Sequence, residues 1–411
     1  MSQIRLVYIS KQINTNTMGG LSGHMSHIHE AMVCTVHDVE NIIDGILVSR
    51  EIEMTEKIDG YNIHVGYDFE KQEMRFFRNS KDILLSGGMS TSDMKDRWKD
   101  RPKTLKVYLS AADILKKYIE DHSAYFLSAQ AKCIVTLNVE CVYKTTNIIP
   151  YTEVGVYLHN IWSWDRVTGK CESTTDIPDG MKLDIDKYEG IHLCPVVKLS
   201  TRFTKNEYIS IANAYKNELE QIIFDEVGGL YAKDITLRGV YYRSFTNICL
   251  KKYEWITNIP ESVFYEIFNR IFFDSKHIHL DVLTKYFPGN EKKFKDWLKT
   301  DGPKLKKLCM HKLKSLFTRF SNFILANSIG YVNYENRYII SDLLYRTYKQ
   351  KIESLKNCDD LKKQEIIDQN IDIIESTGEQ INALEGVVIE YNNNTYKLTG
   401  SFAPLNQLMW L

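Results

Sequence analysis

Hydrophobic spacing along the chain changes period several times, and each change marks an element. From Val39 to Leu47 the apolar residues Val39, Ile42, Ile43, Ile46 and Leu47 recur at three- and four-residue steps, which predicts a short amphipathic helix. The period then falls towards two. Glu51 to Lys57, Asn62 to Tyr67 and Glu73 to Arg78 are short runs rich in β-branched and aromatic residues, punctuated by Gly60 and by the polar stretch Asp68 to Gln72. They predict three consecutive antiparallel strands. Leu105 to Ile119 returns to helical spacing, whereas Cys133 to Tyr143, Gly155 to Trp164 and Pro195 to Leu199 have strand character. Between about Lys205 and Gln380 helix dominates, with apolar stripes on Glu207 to Phe224, Ser262 to Phe273, Leu305 to Ile324 and Asp342 to Leu355. Val240 to Tyr253 fits helix or strand. Gly386 to Tyr391 and Thr395 to Leu398 revert to strand patterning. The expected fold class is α+β: a lead segment over 1–50, a core begun over 51–200, a large mostly helical insertion over 201–380, and completion of the core over 381–411.

Composition narrows this picture in two ways. A 411-residue chain with 44% hydrophobic and 26% charged residues is not an intrinsically disordered one. The formal net charge of -1 excludes a uniformly basic nucleic-acid coat, so any polyanion surface must come from local segregation of charge. Such segregation occurs between Lys285 and Arg319, where eleven lysines and arginines stand against three acidic residues. Lys304, Lys306, Lys307, Lys312, Lys314 and Arg319 share a predicted helix whose apolar face includes Leu305, Leu308, Leu313, Leu316 and Phe317. They are candidate nucleic-acid contacts, because a basic helix tracks phosphates by releasing counterions. The alternative is a solvated face balanced by acids folded nearby. The eight cysteines form no C-x-x-C pair, and Met1 to Lys11 lacks the pattern of a signal peptide. A reducing cytoplasm is the expected compartment, a host's if the protein is viral, and no membrane is expected as a partner.

The chemistry gathers around Glu56-Lys57-Ile58-Asp59-Gly60-Tyr61-Asn62, which lies between two predicted strands. Lys57 would project from a rigid sheet edge, and Gly60 would permit a turn close to a ligand. An amine attacks phosphorus only when unprotonated, so a nucleophilic Lys57 needs a depressed pKa and a second cation nearby. The segment resembles motif I of the covalent nucleotidyltransferase superfamily, which comprises ATP-dependent ligases and mRNA capping enzymes. Glu-Lys-Ile-x-Gly-x-Asn is similar to the branch of RNA ligases that repairs nicks in duplex RNA, although that branch commonly has histidine where Asp59 stands. Four further segments follow in the superfamily's order. Phe76 to Ser80 resembles motif Ia, Leu137 to Glu140 motif III, Val156 to Ile161 motif IIIa and Glu385 to Ile389 motif IV. Tyr396 to Gly400 supplies one of the two lysines of motif V, Lys397. Gly400 to Pro404 and His24 to Glu30 are similar to stretches of phage ligase-like proteins.

The resemblance implies an antiparallel-sheet adenylation domain that uses ATP with Mg2+ (or Mn2+) and acts on RNA, with DNA as the alternative acceptor. Lys57 would form lysyl-AMP, AMP would pass to a 5'-phosphate end, and a 3'-hydroxyl would displace it. It also implies nucleotide contacts for Glu56, Gly60, Asn62, Arg78, Glu140, Glu385 and Lys397. Asp59 would orient the ribose or reacting hydroxyl, His159 stands where an aromatic ring stacks on the base, and Glu140 and Glu385 are the candidate metal ligands. The chain ends about a dozen residues after Gly400, which is expected to leave no room for a C-terminal OB domain and so favours RNA over DNA. Competing expectations are a DNA ligase, a capping guanylyltransferase, a protein-modifying AMP transferase, and a binding module that has lost its chemistry. His24, His27, His29 and Glu30 have zinc-ligating side chains but no matching cysteine spacing, so a loop or helix cap over the nucleotide pocket is the preferred expectation. Gly87-Gly88 reads as a turn, since no phosphate-loop pattern surrounds it.

Overall fold

The computed structural model describes residues 25–84, 87–127, 133–143, 148–151, 154–228, 233–255, 259–273, 287, 291–355, 367 and 381–409. It is a mixed α/β structure whose sheets are mainly antiparallel. The chain opens with β1 (Ser26–His27), α1 (Val36–Leu47), β2 (Met54–Lys57), β3 (Tyr61–Asp68) and β4 (Glu73–Phe77). Short helices α2 (Ser80–Leu84) and α3 (Thr91–Arg97) lead to α4 (Pro102–Asp121) and α5 (Ser123–Leu127). Then come β5 (Cys133–Val142), β6 (Gly155–Asp165), β7 (Cys171–Thr175), α6 (Asp179–Leu183), β8 (Ile191–Leu193) and β9 (Val196–Leu199). Helices α7 (Lys205–Val227), α8 (Leu237–Lys252), α9 (Glu261–Phe273) and α10 (Glu291–Ala326) are followed by β10 (Ser328–Ile329) and α11 (Arg337–Leu355). Strands β11 (Gly386–Tyr391) and β12 (Asn394–Leu398) and helix α12 (Phe402–Met409) end the described chain.

Contacts divide the described chain into two compact units. The smaller contains the described residues of 245–308, and the larger those of 25–244 and 309–409. Helices α7 and α11 and the second half of α10 therefore belong to the same unit as the strands, and this division does not follow the expected boundary at residue 201. The ambiguous segment around Val240 is helical. Among the described residues no helix is long and apolar enough to cross a membrane.

Two six-stranded sheets organise the larger unit. The first runs β1-β12-β11-β2-β9-β10, and the second runs β4-β3-β5-β6-β7 with β8 also paired to β6. In the second, β3 and β5 alternate regularly. Ile63, Val65 and Tyr67 of β3 and Leu137, Val139 and Cys141 of β5 face a core that includes Met94 of α3 and Val107, Tyr108, Ala111 and Leu115 of α4. Each fully buried large apolar side chain contributes roughly 1.5–3 kcal/mol, which makes this face the anchor for the polar residues projecting from the other one.

The three early strands form where the spacing places them, but they do not make one hairpin array. Strands β3 and β4 pair with each other in the second sheet, whereas β2 pairs with β11 and β9 in the first. Ile58, Asp59 and Gly60 carry the chain from one sheet to the other. A two-residue hairpin needs a left-handed turn pair, and these residues do not supply one. Helix α1 buries the expected stripe of Val39, Ile42, Ile43, Ile46 and Leu47, and Thr35 with Asp38 closes a capping box at its start.

Candidate active site

Lys57 is the last residue of β2, and its neighbour across the sheet is Gly386, the first residue of β11. Strand alternation puts Thr55 and Lys57 on one face; Val388 pairs with both Thr55 and Lys397, so Lys397 projects from that same face two strands away. Glu385 immediately precedes β11, and Lys57 Nζ lies 2.5 Å from its Oε1. The two side chains are 26% and 10% exposed. The pKa of Lys57 is raised. Burial opposes its charge, but the carboxylates of Glu385, Glu140 and Asp59 outweigh burial. The expected depression of this amine is thus reversed here, because the acids nearest to it exceed the single lysine in reach. Lys397 is that second cation, held below the ordinary lysine value by burial and then by Lys57.

Glu385 is pushed up to about 7, chiefly by burial and despite Lys57. Its second oxygen, Oε2, is buried and has no hydrogen-bond partner among the described residues. Asp59 is fixed from both ends: its N–H donates to Tyr151 Oη at 3.0 Å, and its Oδ2 accepts from the Ile149 N–H at 2.7 Å. Burial raises its pKa.

Gly60 lies outside the left-handed region, so the expected turn is not what demands glycine. A Cβ at this position would stand 2.8 Å from the Cys141 carbonyl oxygen and 2.8 Å from Glu140 Cγ. Its close neighbour is therefore strand β5, and its small size is what lets Glu140 approach. Gly386 is constrained similarly, since a Cβ there would lie 2.5 Å from the Leu398 carbonyl oxygen.

The polar face of the second sheet supplies the next group. Asn62 Nδ2 donates to Asn138 Oδ1 at 2.8 Å, Asn138 Nδ2 donates to Asn160 Oδ1 at 3.1 Å, and Trp162 Nε1 donates to the same oxygen at 2.6 Å. Arg78 reaches back to donate to the Asn62 carbonyl oxygen, and its own N–H is held by Asp82. Glu140 follows Asn138 on this face. In β6 the register slips: Val139 pairs with Leu158 and Asn138 with Asn160, which leaves His159 as an extra residue. Such a bulge re-aims the side chain it carries. His159 Nε2 faces Glu140 Oε2 at 3.7 Å, and its Nδ1 lies 3.3 Å from Cys194 Sγ. Burial opposes its protonation, yet Cys194 and Glu140 hold the imidazole up at about 10.

Several expected residues stand elsewhere or are otherwise engaged. Glu56 alternates away from Lys57, is 1% exposed, and accepts from the Val332 N–H through Oε2 at 2.7 Å. It therefore lies on the opposite sheet face from Lys57. His27 pairs with Lys397 in parallel strand β1, and Glu30 caps the following turn by accepting from the His27 N–H at 2.9 Å. Ser26–His27 is thus a two-residue edge strand beside Lys397, and Ile28–Glu30 is a 3-10 turn that His27 and Glu30 cap, in line with the cap half of the expectation; His24 lies outside the described residues. Among the described residues no three His, Cys, Asp or Glu side chains gather as a metal cluster.

On α10, Lys306 donates to the Phe272 carbonyl oxygen at 2.8 Å, Lys312 pairs with Glu226 at 2.9 Å, and Arg319 pairs with Glu218. Lys304, Lys307 and Lys314 are exposed. Gly87 and Gly88 both have positive φ, as a turn requires. Tyr151, Asn138, Asn160 and Cys194 went unread in the sequence. Asn138 could have been found two residues before Glu140 on the same strand face, but Cys194 carries no local signal. The chain matches no protein-family model and no curated protein.

Proposed function

We propose that this chain is an ATP-dependent polynucleotide ligase acting on RNA, with Lys57 as the residue that carries AMP. The observation that supports it most is convergence: Lys57 and Asp59, Glu140, Glu385 and Lys397 come from separate stretches and act electrostatically on one amine. Lys57 Nζ attacks the α-phosphorus of ATP, a P–N bond forms, and pyrophosphate leaves. AMP then passes to a 5'-phosphate end and is displaced by a 3'-hydroxyl. Lys57 must leave Glu385 and lose its proton before it attacks, and Lys397 on the same sheet face favours the neutral amine. Asp59, pinned by Tyr151 and Ile149, is placed to orient the ribose or the reacting hydroxyl. Lys397 and Arg78 would balance phosphate charge that develops during transfer.

Glu385, whose buried Oε2 has no hydrogen-bond partner among the described residues, would hold a divalent cation, whereas Glu140 already faces His159. Mg2+ or Mn2+ there would supply positive charge to neutralise the transferring phosphate.

Intact-mass measurement after incubation with ATP and Mg2+ tests the proposal. Wild-type protein gains the mass of one AMP, and Lys57→Ala gains none; AMP uptake by Lys57→Ala would show that the nucleophile is another residue. Uptake of GMP from GTP instead would point to capping chemistry. Nicked duplexes of RNA and of DNA then separate the two acceptors.

A further inference from the structure

The link between β8 and β9 brings Cys194 against the bulge of β6. Its Sγ lies 3.3 Å from His159 Nδ1, and on the far side of the ring Nε2 faces Glu140 Oε2 at 3.7 Å. Sulfur and carboxylate take opposite nitrogens of one imidazole, so the three groups do not converge on a single ion. They form a line of sulfur, imidazole and carboxylate, an arrangement that activates a thiol. Cys194 is half-buried, so a small reagent can reach it. The contrast with other thiols is marked. Cys34, Cys141 and Cys309 are buried, and burial pushes each thiol up. Cys171 is exposed, but its sulfur meets the Ser173 carbonyl oxygen and Thr174 Oγ1, neither of which is a base.

We propose that Cys194 is a reactive nucleophile activated by His159, that hydroperoxides and soft electrophiles modify it, and that its modification closes the nucleotide site. With hydrogen peroxide the Sγ lone pair attacks one oxygen, an S–O bond forms and the O–O bond breaks. The proton shared between Sγ and Nδ1 goes to the departing hydroxide, which leaves as water. Sulfur is oxidised by two electrons to a sulfenic acid, and the peroxide is reduced. The added oxygen enlarges the group that Nδ1 faces, on the ring that stands beside Glu140. The closing of the nucleotide site rests on the function proposed above; the reactivity of the thiol does not.

Iodoacetamide labelling of the full chain, followed by peptide mapping, tests the thiol with Cys171 as a reference in the same molecule. Cys194 is expected to alkylate about ten-fold faster than Cys171 although it is less exposed, and His159→Gln is expected to abolish the difference. Alkylation of wild-type Cys194 no faster than Cys171 would overturn the proposal without any variant having to fold. Peroxide is then expected to stop AMP uptake from ATP in wild-type protein, reversibly with dithiothreitol, and to spare Cys194→Ser. Equal peroxide inactivation of both proteins removes the switch. Absence of AMP uptake by untreated protein refutes the ligase function and the switch together, while the labelling rates still decide the thiol.

Discussion

At Lys57 burial and charge act in opposite directions, and charge wins. The amine sits beside Glu385, with Glu140 and Asp59 also in reach, and so rests as an ammonium. Replacing Glu385 by Gln removes the largest charge that opposes burial, so the pKa falls although Glu140 and Asp59 still hold it up. Acylation of Lys57 by an amine-reactive ester at pH 8 is therefore expected to rise several-fold in Glu385→Gln, even as AMP uptake falls; an unchanged acylation rate would mean that Glu385 does not hold the proton. Glu56 presents the complementary case. Burial pushes its carboxyl from 4.5 to about 7, with the Val332 N–H opposing and Glu385 adding to the shift. Because the folded value lies above the unfolded one, its contribution to stability is complete below pH 4.5 and is lost as pH rises through about 7. The loss amounts to about 3 kcal/mol. Glu56→Gln should gain in Tm relative to wild type between pH 5 and pH 8, and a difference that does not change with pH would contradict the assignment.

Elements place these residues by small departures from regularity. The Ile58 to Gly60 link moves the chain from the first sheet to the second, and Gly60 lets it lie against β5 within reach of Glu140. Gly60→Ala brings a methyl to 2.8 Å from the Cys141 carbonyl oxygen, which is backbone and cannot swing away. The expected cost is roughly 1–3 kcal/mol of stability, read from the denaturant midpoint; for the proposed ligase, AMP uptake is also expected to fall about ten-fold or more, because a 1 Å misplacement of a group in the site is that costly. A variant with wild-type uptake would show that the approach of Glu140 is not needed. The bulge in β6 works in the other sense, adding a residue where a regular strand would turn His159 to one face or the other. Helix α10 shows how charge on an element can be absorbed locally: Lys312 and Arg319 hold Glu226 and Glu218, so the alternative of a face balanced by folded acids applies to these two.

Over the whole molecule the net charge of -1 conceals the exposed Lys304, Lys307 and Lys314. If the proposed RNA binding uses this helix, reversing Lys304 and Lys307, which lie together in the smaller unit, to glutamate is expected to weaken it and flatten its salt dependence, whereas Lys312→Ala and Arg319→Ala should alter stability by at most about 1 kcal/mol. Equal affinity in the double variant, measured across a salt series, would argue against α10 as an RNA-binding element. The amino-acid order by itself determined the elements, the helical stripe of α1 and the alternation of β3 and β5, because a hydrophobic period reports burial only among residues a few positions apart. Lys57, Glu140, Glu385 and Lys397 stood out as separate candidates through the resemblance of their short segments to ligase motifs. Tertiary structure alone decided that β2 leaves its neighbours to pair with β11, that Lys57 meets an acid 328 residues away, and that Cys194 meets His159. The reason is physical: those pairings depend on which sheet edges meet when distant segments close on one another, and the surplus of acids over lysines that sets the state of Lys57 exists only once they have.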